Sequence, residues 1–228
     1  MWRSRRNEPC AGGGQRGAAL ILLLVVFILG SAYVLVERLN VVAPVLKQNN
    51  TTAQRLNTIR DALLGYAVAH GRLPCPDTDA TPDGRQNGPP CNNADGVVPW
   101  LDLGVQYRDA WGRGIRYRAN NNFTLALPLT NTTSGNLRVA NLAGTVLTPA
   151  DPVAPAAILY SCGEDGIPNG ENDINGVSNT SATCDNPGTG DTALYAQDVM
   201  QGNFDDVLLW LPKAQLQARM TAAGNWPP

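Results

Sequence analysis

The chain has 228 residues and a mass of 24.2 kDa, with 43% hydrophobic, 16% charged and 6% aromatic residues. That composition excludes a chain too polar to fold, the length suits one domain with or without an appendage, and no repeat suggests a solenoid. The net charge of -2 gives no basic field to attract nucleic acid.

Charge is nevertheless unevenly placed. Arg3, Arg5, Arg6 and Arg16 precede a run without charge, Ala18 to Val36. At a rise of about 1.5 Å per residue that run makes ~28 Å of helix, close to the hydrocarbon thickness of a bilayer. The positive-inside rule puts residues 1–17 in the cytoplasm and the remainder outside. A secretory signal peptide is one reading, with Gly30 and Ala32 as a small-x-small site cleaved before Tyr33. A retained anchor is the other. Beyond Arg38 the apolar positions Leu46, Ala53, Leu56, Ile59, Leu63 and Ala67 recur at helical spacings. Pro44 would kink this helix without having to end it, and Gly71 after His70 suits its end. A cleaved peptide has no need to stay in phase with the chain beyond its cleavage site, so one helix over 18–69 is expected, with an apolar half (18–36) and an amphipathic half (37–70).

Residues 71–99 are rich in Pro, Gly, Asp and Asn and read as a loop. Val97 to Gly104 is a short apolar segment containing a turn. Asp109 to Gly112 is a turn, and Ile115, Tyr117 and Ala119 alternate with Arg116 and Arg118 as in a half-buried strand. Further strands are expected at 123–129, 137–142, 145–147, 156–160 and 204–211. Lys213 to Ala223 reads as a closing helix with Leu216 and Met220 on one face. The class is α+β, a long helix packed on a small antiparallel sheet over residues 71–228.

Cys75, Cys91, Cys162 and Cys184 form an even set beyond the apolar run, where disulfides persist. Proximity favours Cys75 with Cys91 and Cys162 with Cys184, although four cysteines allow three pairings. Zinc is disfavoured, because no C-x-x-C occurs and the lone His70 lacks ligand spacing. Residues 162–191 carry Glu164, Asp165, Glu171, Asp173, Asp185 and Asp191 among Gly and Asn. Oxygen donors on a flexible loop suit calcium, although the twelfth-position Glu of an EF-hand is missing. A solvated acidic loop is the plainer account. Adjacent Asp205 and Asp206 would face opposite ways in a strand and so form no paired acid/base site. Trp100, Trp111, Trp210 and Trp226 could line a sugar platform or fill the core. No nucleophile elbow, P-loop, dinucleotide fingerprint or H-E-x-x-H motif occurs, so no enzyme is expected.

Gln15, Arg16 and Gly17 followed by Ala18 to Leu23 resemble the start of type IV pilins and type II secretion pseudopilins. The segments GRLPCP (71–76), DAWGRGIRY (109–117) and FDDVLLWLP (204–212) are similar to pseudopilin sequence in the expected order. The resemblance implies a pilin-like fold and a cleaved cytoplasmic leader, residues 1–17, that includes Cys10. A prepilin peptidase would cut after Gly17 and methylate Ala18. Leu22 stands where most members carry a Glu, as in minor or tip subunits. Similarity to the calcium loop of the major pseudopilin makes Asp165, Glu171, Asp173, Asp205 and Asp206 the expected ligands. The implied protein is a single-pass inner-membrane filament subunit with a periplasmic head. Its partners would be other pilin or pseudopilin subunits and an inner-membrane assembly platform. The alternative is a secreted or anchored calcium-dependent module that binds a glycan or protein.

Overall fold

The computed structural model describes residues 15–91, 95–125, 129, 133–149, 154–169, 172, 184 and 193–226. The fold is α+β, with an apolar N-terminal helix, an antiparallel sheet and two disulfides. Two compact units divide the chain at residues 46 and 47. A single helix, α1 (Gln15–His70), supplies all described secondary structure of the first unit and the opening of the second; Pro44 lies inside it.

In the first unit, Ala19–Val36 has a mean hydropathy of 2.9 and none of it is buried. This stretch is long and apolar enough to cross a membrane, as an anchor or as a signal sequence. Its Ser31 hydroxyl donates to Ile28 O at 2.9 Å, which satisfies the polar group within the helix and leaves the outer surface apolar.

The second unit is built around a four-stranded antiparallel sheet in the order β1 (Asp95–Val97), β2 (Arg116–Ala119), β4 (Ala157–Ser161), β6 (Val207–Leu211). Alternation along β4 assigns its two faces. Ala157 and Leu159 join a core with Leu56, Ile59, Leu63, Leu64 and Ala67 of α1. Ile158 and Tyr160 join a second core with Leu137, Val139 and Tyr195. Each fully buried Leu or Ile contributes roughly 1.5–3 kcal/mol, so α1 is held to the head by several such side chains. The closing helix α3 (Lys213–Ala222) adds Leu216 and Met220 to the α1 side.

The second core overturns part of the expected pattern. β2 is buried at all four positions, including Arg116 and Arg118 at 1% and 5% exposure. The face expected to be wet is covered by β3 (Arg138–Ala140) and β5 (Leu194–Ala196), which pair in parallel with Val139 opposite Tyr195. The sheet content is therefore partly parallel, and β5 was not among the expected strands. Asp95 makes the burial tolerable: its Oδ1 accepts from Arg116 and its Oδ2 from the Tyr195 hydroxyl at 2.8 Å.

Three further expectations need adjustment. Asn121–Phe123 is a 3-10 turn rather than the start of a strand, because the Asn120 side chain accepts from Asn122 N and caps it. Residues 126–128, in the rest of that expected strand, lie outside the described residues. At 145–147 only Val146 bridges to Ala140. Between β1 and β2, the expected turn is the one-turn helix α2 (Trp100–Leu103), closed by left-handed Gly104.

Both proximity pairings are present, Cys75–Cys91 across 16 residues and Cys162–Cys184 across 22. Closing loops of this size stabilises a fold by about 3 kcal/mol each. His70 acts locally at the helix end, with Nδ1 3.0 Å from Tyr66 O and its ring stacked on Tyr66.

Candidate functional site

The described part of the acidic loop, residues 162–169 and 172, is held by contacts from three sides. On the first side, the turn after Arg108 is organised by the buried Asp109 carboxylate. Its Oδ1 accepts from Trp111 N and Arg113 N at 3.0 and 2.8 Å, and its Oδ2 accepts from the Ser161 hydroxyl at 2.6 Å. Helix α1 holds the same turn: the Thr52 hydroxyl accepts from Ala110 N, and the Arg55 guanidinium donates to the carbonyls of Arg108 and Asp109. Arg113 then reaches the loop, donating to Gly163 O at 2.8 Å.

The second side is Asp205. Its Oδ2 accepts from the backbone N–H of Glu164 at 2.6 Å and of Asp165 at 3.1 Å. Gly163 permits this approach, since a Cβ there would lie 2.4 Å from Asp205 Cγ. The third is Asp206, only 4% exposed. Its Oδ2 accepts from Asn169 N and from the Asn172 carboxamide, both at 2.8 Å. Asn172 in turn bonds both the N–H and the C=O of Ala196, and its own carbonyl accepts from the Tyr160 hydroxyl.

Asp205 and Asp206 precede β6 rather than lying in it, so strand alternation does not govern them. Both grip the same loop through one oxygen each. The other oxygen, Oδ1, is buried in both residues and has no hydrogen-bond partner among the described residues. Burial pushes the Asp206 carboxyl up to about 8, against the lowering effect of Asn169 and Asn172. Asp205 is raised too, first by burial and then by Asp165 nearby. A cleft of about 480 Å³ beside them is lined by Glu164, Asp165, Met200, Phe204 and Asp205. Among the described residues, no basic side chain forms an ion pair with these acids; the ion pairs are Arg60–Asp61, Arg85–Asp102 and Arg116–Asp95.

Of the expected ligands, Asp165 is in the loop, its Oδ1 accepting from Ile167 N. Glu171 and Asp173, like Asp185, Asp191 and Cys10, lie outside the described residues. Gly17 and Ala18 are near the described start of α1. The tightest group of carboxylates among the described residues is elsewhere. Oxygens of Asp77, Asp79 and Asp83, in the loop closed by Cys75–Cys91, come within 4.8 Å of one another. Asp77 there is fully buried, yet its Oδ2 accepts from Gly84 N and its Oδ1 from Asp79 N. Its two oxygens thus serve as turn caps.

Asn169 and Asn172 were missed in the sequence, where they look like ordinary turn residues. Of the tryptophans, Trp226 is in the core, Trp210 packs partly buried against the second core, Trp111 is half-buried, and Trp100 stacks on Tyr107 while lying over Gly84. No protein-family model, curated protein or solved structure matches the chain.

Proposed function

We propose that the chain is a non-enzymatic structural subunit, minor or tip-like, of a filament of the type IV pilin or type II secretion pseudopilin kind. The observation that carries this reading is the single helix α1, which joins an uncharged, unburied stretch (Ala19–Val36) to a segment packed in the head. In this reading a prepilin peptidase cleaves after Gly17 and methylates Ala18, and the apolar stretch waits in the inner membrane with the head in the periplasm. Leaving the bilayer exposes apolar surface unless neighbouring helices replace the lipid, so extraction and assembly on the membrane platform are coupled. With Leu22 in place of a carboxylate, no buried carboxylate in this part of the helix needs a cationic partner from a neighbouring subunit.

Intact mass and N-terminal sequencing of protein from its native membrane test the proposal. A chain beginning at a methylated Ala18 supports it, and a start at Tyr33 would falsify it. A Gly17→Asp variant should accumulate unprocessed.

A second reading, a calcium-dependent binding module, is favoured by the two buried Oδ1 atoms of Asp205 and Asp206. Oxygens without donors are what a hard cation coordinates. In this reading calcium joins the two carboxylates and fixes the loop for a glycan or protein ligand. Calcium should then raise the unfolding midpoint of the full chain, and Asp206→Asn should abolish that rise; an unchanged midpoint removes the cation from the account.

A further inference from the structure

Away from the acidic loop, a cavity of about 400 Å³ sits at the C-terminal end of β2, lined by Arg118, Asn120, Asn121, Asn122, Ser134 and Asn136. Two chain segments form its walls. The Asn122 carboxamide donates to Ser134 O at 2.9 Å, and the Asn120 carboxamide to Asn136 Oδ1 at 3.4 Å. Gly135 allows the segments to meet, because a Cβ there would fall 2.3 Å from the Asn120 amide nitrogen. The cavity is thus part of a bonded framework.

Its chemistry is one-sided. Among the described residues, the lining holds a guanidinium, carboxamides and a hydroxyl, with no carboxylate and no aromatic ring. A metal cation would meet Arg118. A sugar site of the usual kind would present a ring face to stack on. What remains is a planar anion. A guanidinium can take a carboxylate through two parallel N–H···O bonds, and carboxamide N–H groups can close around it. Arg118 is 5% exposed and has contacts of its own within the fold; five donors allow a guanidinium to serve both. Asp95, its cross-strand partner, is engaged by Arg116 and the Tyr195 hydroxyl. The low-dielectric surroundings of a buried guanidinium strengthen its attraction for an anion.

We propose that this cavity is a carboxylate-binding subsite, with Arg118 as the charged contact and Asn121 and Asn136 as the neutral ones. At ~30 Å³ per water its volume suits a small acid or the end of a polypeptide rather than a folded domain. Those two sources present the same group to the site.

Full-length protein in detergent can be titrated with sodium acetate against sodium chloride at equal ionic strength. A short peptide without acidic residues, carrying either a free or an amidated C-terminus, supplies the second arm. Acetate should raise the unfolding midpoint beyond chloride. Exposed Asn121 can be changed to Asp without disturbing the core, and Asn121→Asp should weaken binding about tenfold by placing like charge beside the ligand. Asn121→Ser, which shortens the neutral contact without adding charge, should weaken binding less than Asn121→Asp does. Equal affinity for acetate and the free-ended peptide identifies a small acid as the occupant. A preference for the free-ended peptide, lost on amidation, identifies a chain end. The proposal is overturned if acetate and chloride act alike and both peptides are inert, or if Asn121→Asp binds as the unaltered chain does.

Discussion

Two loops of the head share a composition and differ in how carboxylates hold them. Each is rich in Asp, Gly and Asn and closed by a disulfide, Cys75–Cys91 in one and Cys162–Cys184 in the other. In the first, buried Asp77 gives both oxygens to backbone donors. The second is gripped from outside by Asp205 and Asp206, each of which keeps one buried oxygen without a donor among the described residues. The first loop has the tighter cluster of acids and the weaker claim to a ligand. Counting acidic residues therefore misleads; accounting for each buried oxygen separates a turn cap from a site open to a cation or proton.

Substitutions at either loop test this difference. The largest expected effect is on the first loop: Asp77→Ala leaves the N–H groups of Gly84 and Asp79 without their acceptor, costing about 2–4 kcal/mol. Denaturant titration reads that loss, and calcium should not restore it. A smaller effect per unit of pH belongs to Asp206, which holds the second loop. Asp206 has a native value of about 8 against an ordinary 3.8, so between them the native state holds a proton that the unfolded chain releases. Stability from this group is present below the lower value and falls as pH rises toward the upper one, by at most about 1.4 kcal/mol per pH unit. Unfolding free energies measured in chelator at a series of pH values should show this slope, and Asp206→Asn should flatten it. Least affected should be Arg85→Ala, whose 4.0 Å pair with Asp102 involves an Arg side chain that is 68% exposed. A loss above about 1 kcal/mol there would mean that this pair contributes more than an exposed ion pair ordinarily does.

Local signals in the sequence carried much of the head. The helical spacing from Leu56 to Ala67, the terminal Gly71 and the apolar run at β6 all mark real elements, because each depends on neighbours along the chain. Alternation at Ile115 to Ala119 correctly indicates a strand but not the burial of its arginines. That pattern assumes one wet face, whereas β3 and β5 cover this one from distant parts of the sequence. Asp205 and Asp206 were misjudged for a related reason: their geometry is set by a loop some forty residues earlier rather than by β6. Asn172 gave no signal at all, since its carboxamide links Asp206 to β5 only once the chain has folded.

Asn172 has one more consequence. Within the parallel β3–β5 pair, the N–H and C=O of Ala196 point away from β3, and the Asn172 carboxamide occupies both. An unprotected edge there would offer docking points to any extended peptide in the same compartment. One side chain closes that point of recruitment, at the cost of tying the loop's position to the integrity of the strand it shields.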